Sequence, residues 1–395
     1  MKRINGGITA PCGFLAGGIN CGIKKNSLDL CMVVSEKNAT VAGCFTTNTM
    51  KAAPVLLCQQ HIRNKCKAIV INSGCANACT GTDGYNNAMA MANITAQQFG
   101  ADPSEILVCS TGRIGKQLPI DKFTAGIKKL TRLVNPDGNK NAAEAILTTD
   151  TFTKEYACTF TLSDGTQVTI GAMAKGAGMI EPDMATMLAF ITTDAAVDNV
   201  FLKDALTKAV SDSFNKITVD GDTSTNDSVI IMANACAGNK IIDATSADAA
   251  LFQKNLDETC HFLAMKILED GEGATKIVKI LLKGATDKEK AQIAAKIIAN
   301  SLLLKVALNG NDVNWGRIIA ALGRSKISLD PNKVDVYLND IQIIEDSLAK
   351  EKNIEFSEKI WSKNRFEITI DLKNGDYQGE CYTCDISHDY IDINL

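Results

Sequence analysis

The chain has 395 residues, of which 46% are apolar, 22% charged and only 5% aromatic, and its net charge is −4. That length suits two or three folding units with a large buried core. The acidic balance and the scattered lysines, as in Lys24–Lys25 and Lys128–Lys129, exclude a basic stripe for nucleic acid, and few rings are available for stacking.

From the N-terminus, Met1–Lys2–Arg3 leads into Ile4–Asn5–Gly6–Gly7 rather than an apolar segment, so no signal peptide is expected. Leu28 to Ser35 and Thr40 to Thr46 carry the β-branched and apolar residues of strands. Lys67 to Ile71 and Glu105 to Cys109 are short continuous apolar runs, the pattern of strands covered on both faces. Asn86 to Phe99 and Asp121 to Leu133 have helical spacing. Helices alternating with buried strands predict a layered α/β architecture.

A hairpin signal follows, with Tyr156 to Leu162 and Gln167 to Ala172 flanking Ser163–Asp164–Gly165. A glycine-rich stretch, Gly171 to Gly178, leads to Met184–Ala185–Thr186, after which Met187 to Thr193 is strongly apolar. Val200 to Phe214 and Ala247 to Leu268 predict long helices. From about Ile277 strands (Ile277 to Leu282, Val334 to Leu338) and helices (Lys288 to Ala299, Gly316 to Leu322) suggest a smaller C-terminal α+β unit. The tail from Phe366 to Asp392 alternates, with a turn at Asn374–Gly375. Leu302 to Leu304 is stopped by Lys305, and no apolar run has bilayer length. A soluble, cytoplasmic protein with no membrane partner is expected.

Fourteen cysteines are spread along the chain, several inside apolar segments (Cys31, Cys44, Cys109, Cys158, Cys236), which predicts reduced, buried thiols. Cys75 with Cys79 and Cys381 with Cys384 are close pairs, but no second half-site completes a zinc set, so no metal is expected. Asp220 to Asp227 is rich in oxygen ligands, yet its glycine is misplaced for a calcium loop. Gly171 to Gly178 matches neither phosphate-loop nor dinucleotide spacing. His61, His261 and His388 form no cluster, which argues against a histidine-based triad.

The informative segment runs from Lys175 to Asp194. Glycines lead to Pro182, which fixes its own φ and biases Glu181 away from helix. A hydroxyl residue, Thr186, then heads an apolar strand, where β-branching limits the direction of its hydroxyl. If the Ala185–Thr186 bond were cut, Thr186 would gain an α-amine with a reference pKa of about 7.7–8.0. That amine could take the proton of its own hydroxyl, giving nucleophile and base in one residue. The same pattern also describes an ordinary loop entering a sheet.

The segment from Lys175 to Asp194 resembles the self-cleavage signature of the ornithine acetyltransferase (glutamate N-acetyltransferase) family of arginine biosynthesis. The resemblance continues in order through residues 7–16, 45–48, 51–55, 72–81, 110–115, 218–227, 271–276 and 314–317. It implies an N-terminal-nucleophile-like α/β sandwich with a smaller C-terminal α+β unit. Three regions follow: an alpha fragment of residues 1–185, residues 186–280 completing the main domain, and residues 281–395 as the C-terminal domain. Thr186 would cleave the chain after Ala185, then carry acetyl from N2-acetylornithine to glutamate by a ping-pong route. No cofactor is implied, with acetyl-CoA a second acetyl donor in some members. Two alpha and two beta fragments would assemble as a heterotetramer.

The resemblance also assigns roles. Thr111 and Gly112 fall at the oxyanion hole, where one lost donor typically costs ~10²–10³ in rate. Lys175, Thr151, Glu272 and Asn394 fall at substrate contacts, with Thr148 and Thr149 as neighbouring hydroxyls of the Thr151 motif. Lys175 suits a substrate carboxylate, and Glu272 an ornithine ammonium. Departures are Cys75 in place of asparagine, Leu302 and Val306 in place of proline and threonine, and carboxylates at Glu181 and Asp183. The family usually runs several residues past Leu395, so one substrate contact is expected to be missing. Two alternatives remain: an N-terminal-nucleophile amidohydrolase or aminopeptidase that passes the acyl group to water, and a non-catalytic paralogue.

Overall fold

The computed structural model describes residues 2–181 and 187–395. The chain divides into two compact units, Met1–Asn215 with Asp222–Ile267, and Lys216–Gly221 with Leu268–Leu395.

In the first unit, nine strands among the described residues form one sheet. Its order is Lys2–Arg3, Lys154–Thr161, Gln167–Lys175, Leu188–Thr193, Ser228–Ala233, Leu30–Phe45, Cys66–Cys75 and Ile106–Arg113, with Phe14–Ile19 also paired to Leu30–Phe45. Leu30–Phe45 is a single strand where two were expected. A register shift between Val34 and Ala39 lets its first half pair with Cys66–Cys75 and its second half with Ser228–Ala233.

Successive side chains along these strands turn to opposite faces of the sheet, as the two-residue period requires. Cys31, Val33, Ile69, Ile71, Leu107 and Cys109 join one core with Phe190, Ile230 and Met232. Their neighbours Met32, Val34, Ala68, Val70, Ile106 and Val108 join a second core with helices Gly81–Phe99 and Ile120–Leu130. Both faces are therefore covered, as the apolar runs predicted, and the layered α/β class holds. Helix Ile120–Leu130 buries Phe123, Gly126, Ile127 and Leu130, the spacing of one helical face. Each large apolar side chain so buried contributes about 1.5–3 kcal/mol. Helix Asn199–Ser211 starts where the Asp198 carboxylate accepts the Val200 and Phe201 amides, a cap worth about 1 kcal/mol.

The predicted hairpin forms, with Phe160 opposite Val168, but its second strand runs on to Lys175. Gly171 to Lys175 is thus sheet, not a flexible loop, since Gly171 to Ala174 are buried and paired on both sides.

The second unit has seven strands among the described residues, ordered Leu348–Ala349, Ile341–Glu345, Asp335–Leu338, Arg365–Asp371, Ile277–Ala285, Tyr377–Cys384 and Ile217–Thr218. Val278, Ile280, Leu282, Ile368 and Ile370 turn inward with residues of helices Lys288–Ala299, Leu302–Asn309 and Trp315–Arg324. The opposite face is charged: Lys279 pairs with Glu367 at 3.2 Å and with Glu380 at 3.3 Å. One buried and one polar face is the mark of an α+β layer. Trp361 is fully buried and its indole N–H donates to the Ala307 carbonyl at 3.2 Å.

The two tail strands, Arg365–Asp371 and Tyr377–Cys384, alternate as the sequence predicts, with Phe366, Ile368, Ile370 and Cys381 buried. Asn374–Gly375 does not close a hairpin; Arg365–Asp371 and Tyr377–Cys384 flank Ile277–Ala285, one parallel and one antiparallel. A long-range strand takes the place that a local partner would have filled. The last residues, His388–Asn394, are helical.

All fourteen cysteines are free thiols. Cys31, Cys109 and Cys158 are buried, while Cys44 and Cys236 are half-buried. Burial pushes the Cys158 thiol up to about 11, which keeps it protonated and unreactive.

Candidate active site

Thr111 and Gly112 end the Ile106–Arg113 strand. There the pairing with Cys66–Cys75 breaks register at Cys75, which opposes both Thr111 and Arg113. Gly112 takes φ +126°, and a Cβ on it would lie 2.5 Å from the Gly74 carbonyl carbon. Only glycine fits this bulge. It turns the backbone at the strand end, which is what an amide aimed at a reacting oxygen requires.

Lys175 closes the Gln167–Lys175 strand, opposite Leu188 in antiparallel register. Only 3% of it is exposed. Its ammonium donates to the Thr148 hydroxyl at 2.7 Å and to the Thr111 hydroxyl at 3.4 Å, and lies 4.0 Å from the Asp150 carboxylate. Two of the residues expected at the site, Thr111 and Lys175, are therefore in contact. Of the neighbouring hydroxyls at 148–151, that of Thr148 accepts from Lys175, and Thr151 is an exposed residue.

Asp150 organises this corner and was missed in the sequence. One oxygen accepts the Gly176 amide at 2.6 Å and the Lys154 ammonium at 2.7 Å; the other accepts the Thr148 amide at 2.9 Å. The side chains of Asp150 and Lys154 are wholly buried. Burial alone would raise the Asp150 pKa, but Lys175 and Lys154 outweigh it and hold the carboxyl well below its usual range. Lys24 adds a further cation, donating to the Leu28 carbonyl at 3.1 Å. Burial, with Lys175 nearby, pulls its pKa down against the attraction of Asp29 and Asp150. The ammoniums of Lys154 and Lys175 flank the Asp150 charge and that of Lys24 lies near enough to feel it, an excess of positive charge suited to a further anion.

Ala185 and Thr186 lie outside the described residues. Next after them is Met187, whose amide donates to the Asp227 carboxyl at 2.6 Å and whose carbonyl accepts the Ser228 amide at 3.2 Å. Asp227 is fully enclosed, and burial raises its carboxyl well above the usual range despite the Met187 amide and Lys175. Asp227 ends the stretch that resembles a calcium loop. Its carboxylate turns to a backbone amide, whereas Asp220 accepts the Tyr390 hydroxyl at 3.3 Å.

In the second unit Glu272 follows helix Ala249–Glu269 and is buried. Its carboxylate accepts the Asn394 side-chain amide at 2.7 Å, so these two expected residues are also in contact. Gly273, at φ +67°, makes this possible, because a Cβ there would lie 2.6 Å from the Ser387 hydroxyl and 2.7 Å from the Tyr390 amide. Asp385 braces the same loop by accepting the Thr275 and Lys276 amides at 2.7 and 2.8 Å and the Thr275 hydroxyl at 2.6 Å. An aspartate at the end of a strand, facing a turn with free amides, was the signal that could have found it.

The sequence profile of the ArgJ family matches residues 15–395. The arginine biosynthesis bifunctional protein ArgJ of Symbiobacterium thermophilum is 44% identical over 398 residues, covering all of this chain and 99% of that protein. The protein of the same name from Geobacter sulfurreducens is 44% identical over 385 residues, 97% of this chain and 98% of the relative. Among solved structures, an ornithine acetyltransferase of Mycobacterium tuberculosis in complex with ornithine is 39% identical, over 47% of this chain and 98% of that one, with a TM-score of 0.43. The chain is an enzyme of the acyltransferase class that serves arginine biosynthesis. It belongs to the ArgJ family.

Proposed function

We propose that the chain transfers an acetyl group from N2-acetylornithine to glutamate through an acetyl ester on Thr186, after cutting itself between Ala185 and Thr186. The observation that carries this reading is the buried contact of Lys175 with Thr111, on the strand directly opposite the one that begins after Thr186. The end-to-end likeness to ArgJ proteins supports it.

In the first stage the Thr186 hydroxyl attacks the Ala185 carbonyl carbon and the amide C–N bond breaks. The acyl chain is then an ester on Thr186, and water hydrolyses that ester to leave an Ala185 carboxylate and a free Thr186 amine. In the second stage this amine accepts the hydroxyl proton as Thr186 attacks the acetyl carbonyl of acetylornithine. Ornithine leaves with a proton on its amine, and the amine of glutamate then takes the acetyl group. The Gly112 amide and the Thr111 hydroxyl are assigned to the negatively charged oxygen of each tetrahedral intermediate. Lys175 is assigned to the α-carboxylate that both amino acids carry, with Thr148 orienting its ammonium and Thr151 at the rim. Glu272 and Asn394 are assigned to the ornithine side chain.

The test is intact mass followed by a two-substrate assay. Wild type should yield fragments of 185 and 210 residues, together the 395 of the chain, and Thr186→Ala only the full chain. Continuous ornithine release should require glutamate, with no more than one equivalent per Thr186 released in its absence; sustained release of acetate at the same rate without glutamate would make the enzyme a hydrolase instead. Coenzyme A release from acetyl-CoA plus glutamate measures the second donor.

A further inference from the structure

We propose that Asn226 and Asp227 are positioning residues that together fix the strand following Thr186 against the strand end that carries Thr111. The inference rests on Thr186 as nucleophile and deepens that reading.

Asp227 accepts the Met187 amide at 2.6 Å, one residue beyond Thr186, and Ser228 grips the Met187 carbonyl from the other side. Asn226 reaches the opposite way. Its side-chain NH2 donates to the Ser110 carbonyl at 2.8 Å and to the Ala76 carbonyl at 2.6 Å. Ser110 immediately precedes Thr111. The Thr225 hydroxyl donates to the Asn226 side-chain oxygen at 2.6 Å, which orients the amide with its NH2 toward those carbonyls. Both side chains are buried, and they project from adjacent residues just before the Ser228–Ala233 strand. The distance from nucleophile strand to oxyanion strand is thus spanned by two consecutive side chains rather than by a flexible loop.

A structural role alone accounts poorly for Asp227. Its second oxygen is buried without a hydrogen-bond partner among the described residues. An unmatched buried acceptor weakens a fold, so the gain from Asp227 lies in the bond that its other oxygen makes to Met187. Positioning matters because a misplacement near 1 Å can cost about 10²-fold in rate.

The experiment compares Asp227→Ala, Asp227→Asn and Asn226→Asp in the full chain, with wild type and Thr186→Ala as controls. It follows cleavage by mass and then kcat and KM of the cleaved fraction. Asp227→Ala should slow cleavage and lower kcat at least tenfold, with KM for glutamate changed less than twofold. Asp227→Asn, which keeps the acceptor for Met187, should recover most of that loss. Asn226→Asp is isosteric but turns two donors into acceptors facing carbonyls, so it should slow both steps at least tenfold; it decides the matter if Asp227→Ala does not fold. Wild-type kcat in Asn226→Asp, or no recovery in Asp227→Asn, overturns the proposal. Failure of wild type itself to cut before Thr186 would instead overturn the proposed function.

Discussion

Asp150 carries a charge out of water and is compensated by Lys154 at 2.7 Å and by Lys175 at 4.0 Å. Removing one partner from a buried pair typically costs about 3–5 kcal/mol, so Asp150→Asn should lose that much in chemical denaturation at neutral pH. The carboxyl's folded pKa is depressed, so its stabilisation is fully present above the ordinary value near ~3.9 and fades as pH falls through the folded value. Wild type should therefore lose its advantage over Asp150→Asn on acidification below about pH 4, and an unchanged gap would contradict the assignment. Gly112 makes a sharper test, since any side chain must displace the Gly74–Cys75 backbone. Gly112→Ala should lower kcat by roughly 10²–10³, measured as ornithine release at saturating glutamate.

Among the elements, those set by local pattern were legible in the sequence. Helices Gly81–Phe99 and Lys288–Ala299 and the Lys154–Thr161/Gln167–Lys175 hairpin lie close to where periodicity and turn residues predict them. Leu30–Phe45 was read as two strands because its middle, Glu36–Asn38, is exposed and polar while both halves pair with different neighbours. The alternating tail with its turn at Asn374–Gly375 was legible, but not that Ile277–Ala285 lies between its two strands, because that partner comes far earlier in the chain. The terminal helix gives an element-scale prediction. Deleting His388–Leu395 removes the Asn394 partner of Glu272. It should raise KM for acetylornithine at least fivefold while the chain still cleaves, because Thr111 and Lys175 are untouched. Loss of cleavage in that deletion would show that the helix supports more than substrate binding.

At the scale of the whole molecule, self-cleavage and assembly make one prediction. The two fragments that the proposed cut would give share a single sheet in the first unit, where Ser228–Ala233, after Thr186 in the chain, pairs with Leu30–Phe45 before it. The fragments should therefore stay together after cutting and elute as one particle that holds both in equal number; light scattering showing separated fragments would exclude this.

The ordered series of short motifs by itself placed this chain in its family and nominated Thr111, Gly112, Thr151, Lys175, Thr186, Glu272 and Asn394, because chemistry at a reacting centre restricts residue type at fixed local spacing. It also predicted the buried strands, because burial on two faces leaves a continuous apolar run. Only the tertiary structure revealed Asp150 under Lys175, Asn226 and Asp227 beside Ser110 and Met187, and Asp385 under the Glu272 loop. Each of these acts through a hydrogen bond to a residue at least 25 positions away, and a polar residue's partner across such a gap leaves no periodic trace along the chain.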